Sequence, residues 1–230
     1  ISIPVEMMYL SKLKELNLAQ NNIQLQANEL GALWSLERLD ITSNPGLSTN
    51  NLILSIAENR QLKDLSLDGD LLTPNSIQQL PQMKLERLEM ARVNEPSKVD
   101  FTRFSTTRNL SLIRSSDWLS AENSGQFDQI SKLELTNSPV PAALPKLKSL
   151  NTLVLNQIEE SQIPLLYPLK KLGILDISNT DFTKSQIAQL KRELPDTKII
   201  CSTPDVTENM RSNNVSPLIE IPAKKVSIQS

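Results

Sequence analysis

Apolar residues recur along this chain in a fixed local order. One apolar residue is followed by two others, a second apolar residue, one more residue and a third apolar residue. Leu13-Lys-Glu-Leu16-Asn-Leu18 is the first instance, and Asn21 follows three places later. Leu36-Glu-Arg-Leu39-Asp-Ile41 with Asn44, and Leu62-Lys-Asp-Leu65-Ser-Leu67 with Asp70, repeat it closely. The starts fall at residues 13, 36, 62, 85, 107, 130, 150, 172 and 194, the fifth (Thr107) and ninth (Leu194-Pro-Asp-Thr197-Lys-Ile199) being weaker matches. Two apolar residues at a spacing of two, such as Leu16 and Leu18, predict a short strand with one apolar face. A single repeat cannot bury that face, whereas stacked repeats bury it against one another.

The segments between strands change period. Thr49 to Arg60 has helical spacing after a threonine cap. Thr73-Pro74 places a capping hydroxyl before a proline, which tolerates the first helical position because its missing N–H has no partner there anyway. Thr183 opens the clearest helix, with apolar residues at 187, 190 and 194.

With intervals of 20 to 26 residues and nine copies, the chain from about residue 8 to 203 resembles the leucine-rich-repeat family. The resemblance implies an α/β fold, a right-handed horseshoe solenoid with a concave parallel β-sheet and a helical or irregular convex side. It sets the repeat domain at 1–203 and a C-terminal tail or capping segment at 204–230. The plant GxIP consensus and paired-cysteine caps are absent, and Cys201 lacks the CxD context of the bacterial ubiquitin-ligase effectors, so the closest resemblance is to bacterial-type repeats without disulfide caps. The ninth position reads Asn21, Asn44 and Asp70, then Val93, Ser115, Ser138, Ile158, Thr180 and Ser202. The loss of Asn predicts irregular turns from about residue 93 onward.

The third and fifth positions of each repeat flank the buried ones and are expected on the concave face. There they form two columns. Glu15, Arg38, Asp64 and Arg87 alternate in sign in the first, which favours pairing between neighbouring strands. Asp40, Glu89, Glu134 and Asp176 place an acid at every second repeat of the other. With Lys132, these are the expected polar contacts for a protein partner, and Ile113, Val154 and Ile174 are the expected apolar anchors. The competing reading is a solvated face whose charges serve solubility alone. Trp34 and Trp118 are both expected in the core, Trp118 being the better candidate for an exposed anchor because a polar segment follows it.

Composition narrows the chemistry. None of the 230 residues is His, only one is Cys, and no Gly-rich phosphate loop occurs. The commonest general base, the Ser-His and Cys-His couples and His-containing zinc sites are therefore excluded. A net charge of −2 with 3% aromatics disfavours nucleic acid as a partner. No apolar run reaches the roughly 18 residues of a membrane span, and the first residues lack the basic stretch of a signal peptide. No cofactor is expected. One cysteine is compatible with cytoplasm, periplasm or secretion. The expected function is a non-catalytic protein–protein interaction module. The alternative is a regulatory or targeting region of a larger enzyme or secreted bacterial effector.

Overall fold

A computed structural model describes residues 2–26, 28–93, 101–116 and 118–202. Each repeat contributes one strand: β1 (Glu15–Asn17), β2 (Arg38–Asp40), β3 (Asp64–Asp68), β4 (Arg87–Ala91), β5 (Asn109–Ile113), β6 (Lys132–Thr136), β7 (Thr152–Asn156), β8 (Ile174–Asn179) and β9 (Lys198–Ile200). They pair in chain order as one nine-stranded sheet, parallel throughout. One strand per repeat, each beside the next, is the architecture of a leucine-rich-repeat solenoid. The tail assigned to 204–230 lies outside the described residues.

The fourth and sixth positions form the core. Leu39, Leu65, Leu88, Leu110, Leu133, Leu153 and Leu175 stack in one column, with Ile41, Leu67, Met90, Leu112, Leu135, Leu155 and Ile177 in the other, all buried. Only the first and last repeats depart, where Leu16, Leu18, Ile199 and Cys201 are half-buried because, among the described residues, a neighbouring strand lies on one side alone.

The convex side closes the core from behind. Helix α1 (Thr49–Ala57) buries Leu52, Ile53 and Ile56. Its cap position is Ser48 rather than Thr49, which is already helical, and the Ser48 side chain makes no capping bond. In α2 (Pro74–Gln79) the Thr73 hydroxyl accepts the Ser76 N–H, with Pro74 inside the first turn as expected. Helix α3 (Lys184–Glu193) carries a full capping box between Thr183 and Gln186. From the fourth repeat to the seventh, short 3-10 turns replace helices at Phe101–Phe104, Ser124–Phe127, Leu144–Lys146 and Glu160–Leu166.

Two expectations fail here. The turns after residue 93 stay regular through the seventh repeat, and among the described residues only the eighth departs, where Asn179 is not left-handed and the β7–β8 register shifts. The residue just before the ninth position is left-handed at Gln20 and Ser43, and it remains so at Arg92, Arg114, Asn137 and Gln157, with φ from 48° to 59°. The N–H groups of Arg92, Arg114, Asn137 and Gln157 each donate to a carbonyl of the following repeat at 2.8–3.0 Å, as that of Gln20 does. Serine succeeds asparagine because a hydroxyl both donates and accepts. Ser138 Oγ accepts the Ser115 N–H at 3.0 Å and lies 3.0 Å from the Thr136 carbonyl, to which it can donate.

The ninth repeat is also displaced by two residues from its sequence match. Lys198 lies beside Ile174, Ile199 beside Leu175 and Ile200 beside Asp176. Thr197 is no inward strand residue; it precedes β9, and its hydroxyl donates to the Leu172 carbonyl at 2.8 Å. A shift of two preserves the alternation of faces, so the apolar pattern alone could not separate the two registers.

Candidate binding face

Successive strand residues point to opposite sides of the sheet, so the third and fifth positions of each repeat reach the concave surface. Through the eighth repeat the two columns are those the spacing predicts. Glu15, Arg38, Asp64, Arg87, Asn109, Lys132, Thr152 and Ile174 stand side by side in the first. Asn17, Asp40, Ser66, Glu89, Ser111, Glu134, Val154 and Asp176 form the second. Lys198 and Ile200 extend them, in place of the Asp196 and Lys198 that the sequence match predicts. Ile113 stands in a third column, between Ala91 and Thr136.

Much of the charge in these columns is engaged within the molecule. Arg38 forms an ion pair with Glu15, as the alternating signs predict. Arg87 turns instead to Glu89 on its own strand, at 2.8 Å. Asp40 Oδ1 accepts from the Thr42 N–H at 3.0 Å and from its hydroxyl at 2.8 Å. Asp176 does the same for Ser178, at 3.0 and 2.6 Å. The acid thus closes the end of its strand, and the sequence signal is the shared Asp-Ile-Thr/Ser triplet. Glu134 accepts from Asn156 Nδ2 at 3.0 Å. Asp64 and Lys132 make no ion pair among the described residues, so their charges are free to face solvent.

The face holds two shallow polar depressions. One, of about 360 Å³, is floored by β1–β4 and rimmed by Glu15, Arg38, Asp40, Asp64 and Arg87. The other, of about 220 Å³, lies between Arg87, Asn109, Ser111, Lys132 and Glu134. Beyond β6 the surface becomes less polar, with half-buried Val154 and Ile174 and exposed Ile200.

At the rim, the carboxylate of Asp68 joins three repeats. It accepts the Ser43 N–H at 2.9 Å and pairs with Arg92 at 2.7 Å. Burial raises its pKa above the ordinary aspartate value, and the Arg92 charge and the Ser43 N–H only partly offset this. Gly69 follows because a Cβ there would lie 2.9 Å from Val93 Cα, so the next turn leaves no room. On the outer surface Glu37 sits between Lys14 at 2.8 Å and Lys63 at 3.2 Å, and hydrogen bonds from these two lysines hold its pKa low.

The core expectation holds for Trp118 and fails for Trp34. Trp118 is buried, 2% exposed, and meets Phe127 edge-on at 4.8 Å, so it is no surface anchor. Phe101 lies 4.6 Å from Phe127 in the same cluster, and apolar enclosure outweighs the polar segment that follows Trp118. Trp34 is 73% exposed. Its position, two before the first leucine, holds Ser11, Arg60, Ser105, Asp128, Lys148 and Lys170 in other repeats, with buried Met83 the exception in the fourth. The place is therefore a surface one in most repeats.

No family model matches the chain, and no curated protein matches it. Among solved structures it is similar to a leucine-rich-repeat protein of Leptospira interrogans, with 19% identity and a TM-score of 0.46 over 86% of this chain and 57% of that one. It is also similar to an internalin of Listeria monocytogenes, with 12% identity and a TM-score of 0.46 over 88% and 66%. The internalin C2 of that species gives 20% identity and a TM-score of 0.36 over 84% and 74%. The chain spans less than two thirds of the length of the first two.

Proposed function

We propose that this leucine-rich-repeat chain is a non-catalytic protein-interaction module that receives its partner on the concave face. The observation that carries the reading is the division of one continuous sheet surface. Charged and polar side chains occupy the first six repeats, and Val154, Ile174 and Ile200 stand in the last three. Exposed ion pairs contribute only about 0–1 kcal/mol each, so apolar contacts at the C-terminal end supply affinity. Charge sets the register. Asp64 and Lys132 lead in that role because no internal ion pair among the described residues uses them. Arg38, Arg87, Glu89 and Glu134 can contribute only by exchanging a partner they already have. Asp40 and Asp176 are committed to closing their own strands. The sheet is hydrogen-bonded before any partner arrives, so docking loses little ordering entropy.

The face offers no acid–base machinery. The chain has no His, and its carboxylates line open depressions or are engaged in turns.

The test compares three baits by cross-linking and mass spectrometry: the native chain, a concave variant and a convex variant. The concave variant carries Asp64→Lys, Lys132→Glu and Ile174→Asp; the convex one carries Lys184→Glu on α3. A partner held by the native and convex baits, cross-linked near the columns and lost from the folded concave variant, is the expected result. Equal retention by all three overturns the assignment of the face.

A further inference from the structure

Among the described residues the two ends of the solenoid are uncovered, and they match. At one end Leu13, Leu16, Leu18 and Met7 are only partly buried; at the other, Phe182, Ile187, Ile199 and Cys201 are. In the interior repeats the same strand columns are buried throughout. Among the described residues no strand pairs with the outer edge of β1 or of β9. Exposed apolar side chains gather at these ends as well: Val5, Tyr9 and Leu10 at the first and Ile200 at the last.

We propose that molecules of this chain associate head to tail, β9 of one adding beside β1 of the next, so that the parallel sheet runs on across the junction. The two edges are opposite sides of a single parallel sheet, so joining them preserves strand direction. Extending the register places Ile199 beside Leu16 of the next molecule and Cys201 beside its Leu18, apolar against apolar. It places Lys198 beside Glu15. The first column then reads Lys198, Glu15, Arg38, Asp64, Arg87, and its alternation of sign continues unbroken through the junction.

Glu15 is already paired with Arg38, and this is no obstacle. Glu37 shows the same arrangement inside the molecule, held by Lys14 from the repeat before and Lys63 from the repeat after. The contact joins two different patches, so it does not close on itself as a twofold dimer does; association continues with concentration. Burial of the half-open core positions supplies affinity, and the Lys198–Glu15 pair fixes register.

Sedimentation equilibrium on the full 230-residue chain, from micromolar to near-millimolar concentration, reads the association directly. The expected result is an average mass that climbs past the dimer. Lys198→Glu sets like charges at the junction and weakens association by about tenfold. Both side chains are exposed, so the variant folds.

A second measurement fixes the register. Adjacent strands lie about 4.8 Å apart, within the Cα separation a disulfide spans. Leu18→Cys, with native Cys201 as its partner, is expected to give a ladder of oxidised multimers that Cys201→Ser abolishes. A monomer at every concentration overturns the proposal. So does a closed dimer indifferent to Lys198→Glu, or oxidation that joins only the introduced thiols of two molecules and leaves Cys201 free. A chain that is monomeric at full length but multimeric when ended at Ser202 also overturns it, and shows instead that 203–230 covers the last repeat.

Discussion

In the second repeat the turn after the strand is closed by Asn44, which is buried and donates through Nδ2 toward the carbonyls of Leu18, Ile41 and Thr42 while its Oδ1 accepts the Ile23 N–H. In the sixth repeat the same turn is closed by Ser138, with one hydroxyl between Ser115 and Thr136. The backbone before it is left-handed in both, at Ser43 and at Asn137. The two stretches differ behind the sheet too. Helices α1 and α2 back the first, whereas 3-10 turns and the cluster of Phe101, Phe104, Trp118 and Phe127 back the second. The left-handed turn also forms before Val93 and Ile158, which cannot hydrogen-bond through their side chains, so the backbone bond to the next repeat carries it, and asparagine or serine adds side-chain bonds where present. The strand columns require leucine-like volume, and what fills the convex side is free to vary.

The largest expected effects lie in the convex packing. Phe127→Ala removes the ring against which both Phe101 and Trp118 rest and is expected to cost about 3–5 kcal/mol. Leu33→Ala, at the corresponding place before the second strand, is expected to cost about 2–4 kcal/mol. Chemical denaturation followed by hydrogen exchange checks both, exchange being needed because repeat arrays can open in part. A loss at Phe127 no greater than that at Leu33 would show that the aromatic cluster adds nothing beyond ordinary burial.

The turns come next. Asn44→Ala strands the Ile23 N–H and removes a donor from the Leu18, Ile41 and Thr42 carbonyls, of which Leu18 and Thr42 keep another, and is expected to cost about 2–3 kcal/mol; Ser138→Ala strands one N–H and is expected to cost about 1–2 kcal/mol. Equal losses from thermal or chemical melts would break the comparison, since serine would then bear as much as asparagine.

The repeat itself is legible from the Leu16/Leu18 type of spacing, and so are the two concave columns, because strand parity and repeat length together fix which residues are neighbours. What escapes does so for identifiable reasons. The ninth register slips because two residues preserve parity. Turn regularity is hidden because the fading Asn ladder looks like a lost requirement, when the backbone bond to the next repeat persists even before Val93 and Ile158. Trp34 escapes because an aromatic beside the repeat leucine reads as core, although most other repeats hold a polar residue at that place; the polar segment after Trp118 offers an exposed anchor that its burial rules out. Asp40 and Asp176 stand in a stripe of acids, yet their local Thr and Ser partners already explain them.

Asp68 gives the first stretch a pH response that the serine turns lack. Its folded pKa is raised by burial, so the folded state binds the proton more tightly than the unfolded one. Stability from this group is therefore complete below the ordinary aspartate pKa and is lost as pH rises through the folded value. Melts across the mildly acidic range are expected to show that slope, superposed on the opposite response of Glu37, whose lowered pKa makes its contribution fall away on acidification. Asp68→Asn is expected to remove the Asp68 part of the slope. An unchanged slope would place the titration elsewhere.

The smallest effect separates the two stretches by sign. Arg92 and Arg114 both hold left-handed backbone, at φ 59° and 50°, and both are exposed. A residue with a Cβ disfavours that region by roughly 1–2 kcal/mol, and glycine relieves this while adding freedom to the unfolded chain. Arg114 makes no ion pair among the described residues, so Arg114→Gly is expected to stabilise by about 0.5 kcal/mol. Arg92→Gly relieves the same backbone but leaves the buried Asp68 carboxylate without its cation. Uncompensated buried charge costs more than the backbone returns, so the net change there is a loss at neutral pH, and the loss shrinks as acid neutralises Asp68. Gains of equal size at both positions would mean that the Asp68–Arg92 pair contributes nothing, and the first stretch would then rest, like the second, on its turn hydrogen bonds alone.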